Sequence, residues 1–551
     1  MSTAGTNTTG TDAAGTDAAG TDAAGTDAAD ADTPGTGPVG AGPADADTPG
    51  TNPAGTSAAG AAGEPLHLEP RLEQRPAALL EEGRPLLHAL VDALGSPLNV
   101  VLPDQIAENA ERFRAVFRRH RLTGRIFYAH KANRSSALVR RLVTTDAGLD
   151  AASLGELQHA LASGWTGDRI MTTGPKDPEF LWLAARAGAV VNADGPAEVE
   201  QAARLVRAYD LPRLRVVLRL SGFDTSGTTV LSRRSRFGTP ARSLRDLLDT
   251  VDRHRDAVEP TGVGYHLDTT SLDEKAAALE GCLHAMEELR ARGFSPRAVD
   301  VGGGFGISYL AHAGQWDRYT TALTQAVMGR RPPMTWDGHG YGLRMENGTL
   351  RGALGLYPAH RHLAGAGYLD ELLSRPAPTL GGRPLGTLLL EGLHELYAEP
   401  GRALTDQCGL TLGRVLDVRA ADGGEHLVRL AMNAGDAGLE DHGVLVDPVV
   451  LPRDATPTAA AGRPAAVHLM GNLCLESDLI TRRTVHLPRL PRPGDLLAFP
   501  NTAGYCMDFG ATHAQRQPVA RKVAVHREGE SWHWCLDEQY WPITRPGGPR
   551  T

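Results

Sequence analysis

The sequence predicts an α/β protein: a (β/α)8 TIM-like barrel, preceded by a disordered tail and followed by a smaller, mainly β domain. Three observations carry that prediction. Between about residues 95 and 402, short apolar runs alternate with amphipathic stretches such as DQIAENAERFRAVFRRH (104–120), the pattern of parallel β-then-α units rather than of an antiparallel sandwich. After about residue 403 the texture changes to runs such as LTLGRVLDV and DLLAFP, broken by glycine and proline. Residues 1–62 repeat GTDAA four times from Gly10 and hold almost no large apolar side chain, so they have little burial to offset the entropy of ordering.

Taken in order, residues 1–62 form a solubilising low-complexity tail. Residues 63–100 contain a helical stretch, RPLLHALVDAL, and a strand, PLNVVL, and are expected to pack partly with the β domain. The barrel spans 101–402. Its predicted strands are RIFYA (125–129), GLDAA (148–152), RIMTT (169–173), AVVNA (189–193), RVVLRL (215–220), GVGYHL (262–267), AVDVG (298–302) and ELYAE (395–399). Residues 331–386, rich in Gly, Pro and aromatics (WDGHGYG, LYPAHRHLAG), fit neither period and read as an insertion. The β domain covers 403–545.

Composition narrows the function. The chain of 551 residues is 41% hydrophobic, ordinary for a soluble protein, and no run of about 18 apolar residues suggests a membrane span. The N-terminus lacks the basic and apolar regions of a secretory signal. The net charge of −9 is concentrated in the tail: eight aspartates and no Lys, Arg or Glu lie in 1–62, and taking those eight away leaves −1. No electrostatic footprint for nucleic acid follows. Five scattered cysteines (Cys282, Cys408, Cys474, Cys506 and Cys535) contain no C-x-x-C pair, which argues against a disulfide framework or structural zinc and for a reducing, cytoplasmic setting. His360 and His362 are too isolated to be proposed as metal ligands, and no HExxH occurs. No metal is expected.

In a barrel of this kind the C-terminal ends of the strands share one mouth, and active sites are built there. Four features fall at such ends. Lys131 follows RIFYA, His266 ends GVGYH, the cluster GGGFG (302–306) follows AVDV, and EPGR (399–402) follows ELYA. Each has a plain reading: a loop cation snorkelling to water, a satisfied core histidine, a tight strand–helix turn, a surface ion pair of small worth. Each also has a chemical one. Lys131 can be a desolvated amine that attacks carbonyls. The glycines allow backbone N–H groups to approach a phosphate, although the spacing is neither Walker A nor a dinucleotide fingerprint. Arg402 suits a phosphate, Glu399 a ring nitrogen, and the His266 ring can stack on a flat cofactor. A nucleophilic lysine, a phosphate cradle, a stacking ring and a carboxylate together describe a pyridoxal-phosphate site.

The sequence resembles the fold-type III pyridoxal-phosphate enzymes, the group of diaminopimelate, ornithine and arginine decarboxylases with an alanine-racemase-like barrel. The resemblance runs from about 95 to 525 and rests on YAHKAN (128–133), GLDAASLGEL (148–157), SRFG (235–238), VDVGGGFG (299–306), EPGR (399–402), the pair Cys474 and Asp478, and NTAGY (501–505). WDGHG and FPNTAGY look most like a less characterised bacterial branch. The resemblance implies that Lys131 forms the Schiff base with pyridoxal 5'-phosphate and that His266 stacks on its ring. It implies that Gly302, Gly303, Gly304, Arg402 and Tyr505 hold the phosphate and that Glu399 meets the ring nitrogen. Asp150 and Glu156 would support the ring and Lys131, and Arg219 would stand beside the histidine. Cys474 and Asp478 would reach the active site of a partner subunit, which implies a head-to-tail homodimer, and the substrate would be a small-molecule amino acid.

Two departures stand out. Where the family has H-x-G-S this chain has HLDT, so Thr269 takes the place of the phosphate-binding serine. Leu475 replaces the acidic residue after the cysteine, with Glu476 one position later, so the substrate's far end is left open. The expected reaction is decarboxylation, with Cys474 or a group on the Lys131 side returning a proton to Cα. A racemase on the same fold is the nearest rival, though alanine racemases place an arginine rather than a glutamate at the ring nitrogen. A non-catalytic cofactor-binding protein is the other. Fold alone does not choose among them.

Overall fold

The computed structural model describes residues 65–223, 235–421, 423–454 and 464–542; the predicted tail, 1–62, lies outside these. Eight parallel strands close into a barrel. They are Gly124–Ala129, Gly148–Ala151, Ile170–Thr172, Val190–Ala193, Leu214–Ser221, Val258–Tyr265, Ala298–Asp300 and Glu395–Ala398. The last strand closes the ring by pairing with both Ala298–Asp300 and Gly124–Ala129. The eight predicted runs fall on these eight strands, and the predicted fold class is the observed one.

One boundary differs in a way that matters. The strand predicted as GVGYHL starts at Val258 and stops at Tyr265, so His266 is the first residue of the loop beyond it. The polar start, VEPT, hid the extra turn of strand; it pairs with Leu214–Val216 before a register shift.

The loops that follow the strands are tied down by the helices they lead into. Ser135, Ser153 and Ser271 each accept a hydrogen bond from a backbone N–H in the first turn of the following helix, at Leu138, Glu156 and Glu274. Each cap satisfies an otherwise orphaned donor and is worth about 1 kcal/mol. Lys131, Asp150 and His266 lie within a few residues of these caps, so the caps restrain the backbone that presents them.

In the β domain Gly409–Ala420 is central. It pairs antiparallel with Leu98–Val101, His426–Leu430 and Leu496–Pro500. Leu98–Val101 also pairs in parallel with Arg521–Glu528, so a segment from before the barrel becomes a strand of the C-terminal sheet. Leu79, Leu87 and Val91 of the N-terminal helices (Gln74–Glu81 and Arg84–Leu94) pack there on Leu412, Leu496 and Val523.

Between the seventh and eighth barrel strands lie the helix Ala313–Val327, a hairpin of Leu343–Glu346 with Thr349–Gly352, and the helices Gly365–Ser374 and Leu385–Glu391. The hairpin turns on Asn347 and Gly348, both at positive φ (+50° and +75°), as a tight two-residue turn requires. The insertion is fastened to the β domain by a buried charge cluster. Arg483, fully buried, lies 2.7 Å from Asp447 and 3.7 Å from Glu440. These are close charge contacts made off the N–H axes rather than hydrogen bonds. Glu440 in turn accepts from Tyr341 of the insertion at 3.0 Å and from the Arg482 N–H at 2.8 Å. Arg483→Ala leaves two buried carboxyls without their counter-charge and is expected to cost about 3–5 kcal/mol, read as a lower midpoint in urea unfolding. Among the described residues no helix is long and apolar enough to cross a membrane.

Candidate active site

The carboxyl-terminal ends of the barrel strands line one open cleft. Lys131 enters it from a short 3-10 turn, His130–Ala132, directly after the strand Gly124–Ala129. His266, Gly303, Gly304, Glu399, Arg402 and Tyr505 line the same cleft. Residues more than 370 positions apart in sequence therefore meet in one place.

Glu399 is the electrostatic centre. It is 4% exposed, and His266 Nδ1 donates to its Oε2 at 3.0 Å. Burial alone would raise this carboxyl, but the His266 hydrogen bond and charge, with Arg219 nearby, hold it well below the usual carboxylate range. Its other oxygen, Oε1, is buried without a fixed donor. Two further buried acids surround it. Burial and the Glu399 charge raise both Asp150 and Asp300; Asp150 also accepts from the Thr173 hydroxyl at 2.6 Å, and Asp300 accepts from the Gly302 N–H at 2.9 Å. One carboxylate of the three is thus kept ionised and the others are pushed toward their protonated forms.

The glycine loop needs its glycines. Gly302 and Gly304 adopt φ of +63° and +77°. A Cβ on Gly302 would lie 2.5 Å from the Tyr265 carbonyl oxygen. Arg402 donates to the Tyr309 hydroxyl at 2.7 Å, and its guanidinium lies 5.1 Å from the ring centres of both Tyr357 and Tyr505. Tyr505 itself has φ +69°, a strained conformation for a bulky residue that the surrounding fold has to enforce.

Other predicted residues stand outside the cleft lining. Arg219 lies 3.5 Å from Asp194 and over the Phe237 ring at 4.9 Å. Glu156 accepts from the Ala152 N–H at 2.6 Å. The Thr269 hydroxyl accepts from the Ser271 N–H at 3.0 Å, whereas its neighbour Asp268 lines the cleft. Cys474 and Glu476 are exposed on a loop of the β domain. Asp478 is turned into that loop, accepting from Ala434 N–H (2.8 Å) and Leu473 N–H (2.7 Å). Within one chain these three do not join the cleft.

Several neighbours were not singled out from sequence. Asp300 lies inside a quoted motif, VDVGGGFG, and its alternation with Val299 and Val301 was the available signal. The insertion straps the glycine loop: the Gly365 N–H donates to the carbonyls of Phe305 (3.1 Å) and Gly306 (3.0 Å), and the Tyr357 hydroxyl accepts from the Ile307 N–H at 2.8 Å. Arg361, between the two histidines weighed as ligands, packs so close to Gly306 that a Cβ there would meet its Cδ at 2.8 Å. No local pattern announces such contacts.

Beside Lys131, His130 is buried and its Nε2 lies 2.7 Å from His159 Nδ1, while His159 Nε2 meets the Ser136 hydroxyl at 2.9 Å. Burial, with the charge of His130, lowers His159 from 6.5 to about 4. A base depressed in the folded state contributes stability that is present above its unfolded value and lost as pH falls through 6.5 toward 4. His159→Gln is expected to flatten that part of the thermal-stability profile, measured between pH 7.5 and about 4.5.

Fold and site together define a barrel enzyme class that binds a phosphorylated, ring-bearing cofactor at strand ends. The family model described as "Pyridoxal-dependent decarboxylase, pyridoxal binding domain" matches residues 103–348. The protein y4yA of Sinorhizobium fredii, itself uncharacterised, is 32% identical over 468 residues, which is 84% of this chain and 95% of that one. Diaminopimelate decarboxylase of Deinococcus radiodurans is 32% identical over 242 residues, 41% of this chain and 59% of its own length, so that alignment spans less than two thirds of the relative. The crystal structure of diaminopimelate decarboxylase from Helicobacter pylori, complexed with L-lysine, superposes with a TM-score of 0.60 at 18% identity, covering 81% of this chain and 95% of that one. The chain belongs to the fold-type III pyridoxal-phosphate-dependent decarboxylase family.

The residues present fit that family's cofactor, pyridoxal phosphate. A buried ionised carboxylate with one oxygen lacking a fixed donor suits a protonated ring nitrogen. A loop of glycines where an added Cβ would collide, beside a half-buried arginine, suits a phosphate. Lys131 lines the same cleft.

Proposed function

We propose that this protein decarboxylates an amino acid, with Lys131 as the amine that holds pyridoxal phosphate through a Schiff base. The observation that carries the proposal is Glu399, buried and kept ionised by His266 in the same cleft as Lys131. When bound, the cofactor supplies an electron sink for the pair left on Cα as CO2 departs. The chain supplies the rest. Glu399 would accept a hydrogen bond from the protonated ring nitrogen, which keeps its proton, and His266 fixes that carboxylate in place. Arg402 and the amides of the glycine loop neutralise the phosphate. Asp150, raised to about 7 by burial and the Glu399 charge, carries less charge beside Glu399 than an ordinary aspartate would. A carboxylate at the ring-nitrogen position favours full development of negative charge at Cα, which is the demand of decarboxylation rather than of racemisation.

In a head-to-tail homodimer the exposed loop bearing Cys474 and Glu476, with Asp478 shaping it from within, would complete the cleft of the second copy. The Cys474 thiol then returns a proton to Cα. The relatives named as diaminopimelate decarboxylases support an amino-acid substrate, Leu475 leaves its far end open, and the scattered cysteines without a C-x-x-C pair support a cytoplasmic setting. The testing experiment is a visible spectrum of the purified protein with pyridoxal phosphate, followed by a screen of amino acids for CO2 release. A cofactor band with CO2 release from one amino acid is the expected result. A band without CO2 from any substrate leaves the binding-protein alternative, and racemisation of a substrate identifies the other rival.

A further inference from the structure

Behind the glycine loop lies a buried ammonium. Lys275, in the second turn of the helix Leu272–Ala291, is 1% exposed. Its Nζ donates to the carbonyl oxygens of Gly303 at 2.5 Å and Gly304 at 3.0 Å. The rings of Phe305 and Tyr368 flank it, with centres 5.4 and 5.2 Å from Nζ. A Cβ on Gly304 would come within 2.7 Å of Nζ, so the close approach needs glycine at that position. Burying an ammonium is costly unless the surroundings compensate it, and here part of the compensation comes from two carbonyls of the loop that lines the cleft.

The consequence follows from peptide geometry. In a planar trans peptide the C=O of one residue and the N–H of the next point in opposite directions. Lys275 is not part of the cleft lining, whereas Gly303, Gly304 and Phe305 are. Drawing the Gly303 and Gly304 carbonyls back onto Lys275 therefore turns the N–H groups of Gly304 and Phe305 toward the cleft. Successive amides turned to one side form an anion-binding concavity, and the ammonium directly behind them adds positive charge within the low-dielectric interior.

We propose that Lys275 is a positioning residue for the dianion of a phosphate monoester: it sets the loop amides from behind and strengthens their field. The ligand class rests on the cofactor reading above; the loop geometry does not. A merely structural lysine would affect folding, or all ligands alike. A positioning lysine affects only those that carry phosphate.

The test compares the wild-type full-length chain with Lys275→Met and Lys275→Arg. Three ligands are titrated: pyridoxal phosphate and pyridoxal, followed by absorbance, and inorganic phosphate, followed by calorimetry. Lys275→Met is expected to weaken pyridoxal phosphate and inorganic phosphate by about tenfold or more, with pyridoxal changed by less than about twofold, as loss of a charge-assisted contact predicts. Lys275→Arg should recover part of the difference. Equal losses for pyridoxal and its phosphate, or no loss for either phosphate ligand, overturn the proposal. If Lys275→Met does not fold, Gly304→Ala takes its place, because it keeps the lysine and pushes a methyl against Nζ; unchanged phosphate affinity there overturns the proposal too. A wild type that binds inorganic phosphate but no form of pyridoxal would refute the cofactor reading, and the phosphate arm alone would then decide the role of Lys275.

Discussion

Lys131→Ala is expected to remove decarboxylation almost completely, by about 10⁴-fold or more in kcat, the scale on which loss of a catalytic nucleophile is felt. Lys131 is the only lysine in the cleft lining among the described residues, so no second amine stands ready to replace it. The variant should fold, because Lys131 sits in a one-turn 3-10 segment after the strand rather than in the barrel core. The phosphate end of the cleft is untouched, so pyridoxal phosphate should still associate, but reversibly. Borohydride treatment followed by peptide mass analysis is the direct measurement. In the wild type the cofactor mass should appear on the peptide containing Lys131, and in the variant on none. Retained CO2 release by Lys131→Ala would remove the proposed function at its root.

Glu399→Gln is expected to lower kcat by about 10²–10⁴-fold, the range for loss of a positioned proton-holding group, while cofactor affinity changes little. The amide keeps the shape and still accepts from His266 Nδ1, but it removes the negative charge that keeps a ring nitrogen protonated. The substitution also has a sign that can be checked without any substrate. Asp150 is pushed up to about 7 by burial and then by the Glu399 charge. An acid raised in the folded state contributes stability that is present below its unfolded value and lost as pH rises through its folded one. Neutralising Glu399 removes part of that upward push, so Glu399→Gln should lose less stability than the wild type between about pH 4 and 7. Toward lower pH the comparison turns over. Glu399 itself is depressed to about 2, and the stability this contributes above 4.5 disappears in the wild type as pH falls. Urea midpoints at three pH values resolve both limbs; parallel profiles for the two proteins would refute the charge arrangement described here.

Much of the barrel was legible because its strands are buried on both faces. RIFYA, AVVNA and RVVLRL are short, mostly apolar runs without strict alternation, and such runs separated by amphipathic helices leave few topologies. Where a strand carried polar residues at its start, as in VEPT before GVGY, the sequence reading lost its beginning and took His266 as part of the strand. The insertion was legible only as an exception. Its hairpin announces itself in Asn347–Gly348, yet the strap that seats Tyr357, Arg361 and Gly365 on the glycine loop has no period at all, because its partners, Phe305 to Ile307, lie far away along the chain.

The cleft divides in the same manner. Lys131, His266, the glycines and Glu399–Arg402 stand out in sequence because each follows a strand, and the strand ends of a closed parallel barrel face one mouth. Their convergence thus follows from the order of elements. What sequence does not specify is which carboxyl carries the charge, since Asp150, Asp300 and Glu399 look alike as letters. Burial, mutual repulsion and the hydrogen bond from His266 decide that, and these exist only once the strands have closed. Nor does sequence show which lysines are buried. Lys131 was visible from its place after a strand, whereas Lys275 reads as one more cation in the helical stretch LDEKAAALEG, and its role against Gly303 and Gly304 is created by tertiary packing alone. The sequence by itself determined the barrel and the residues at its mouth, because those depend on local period and order, and its motifs carried the family resemblance. Tertiary structure decided the ionisation pattern and the support behind the loop, because electrostatic energies depend on distance and desolvation rather than on neighbours along the chain.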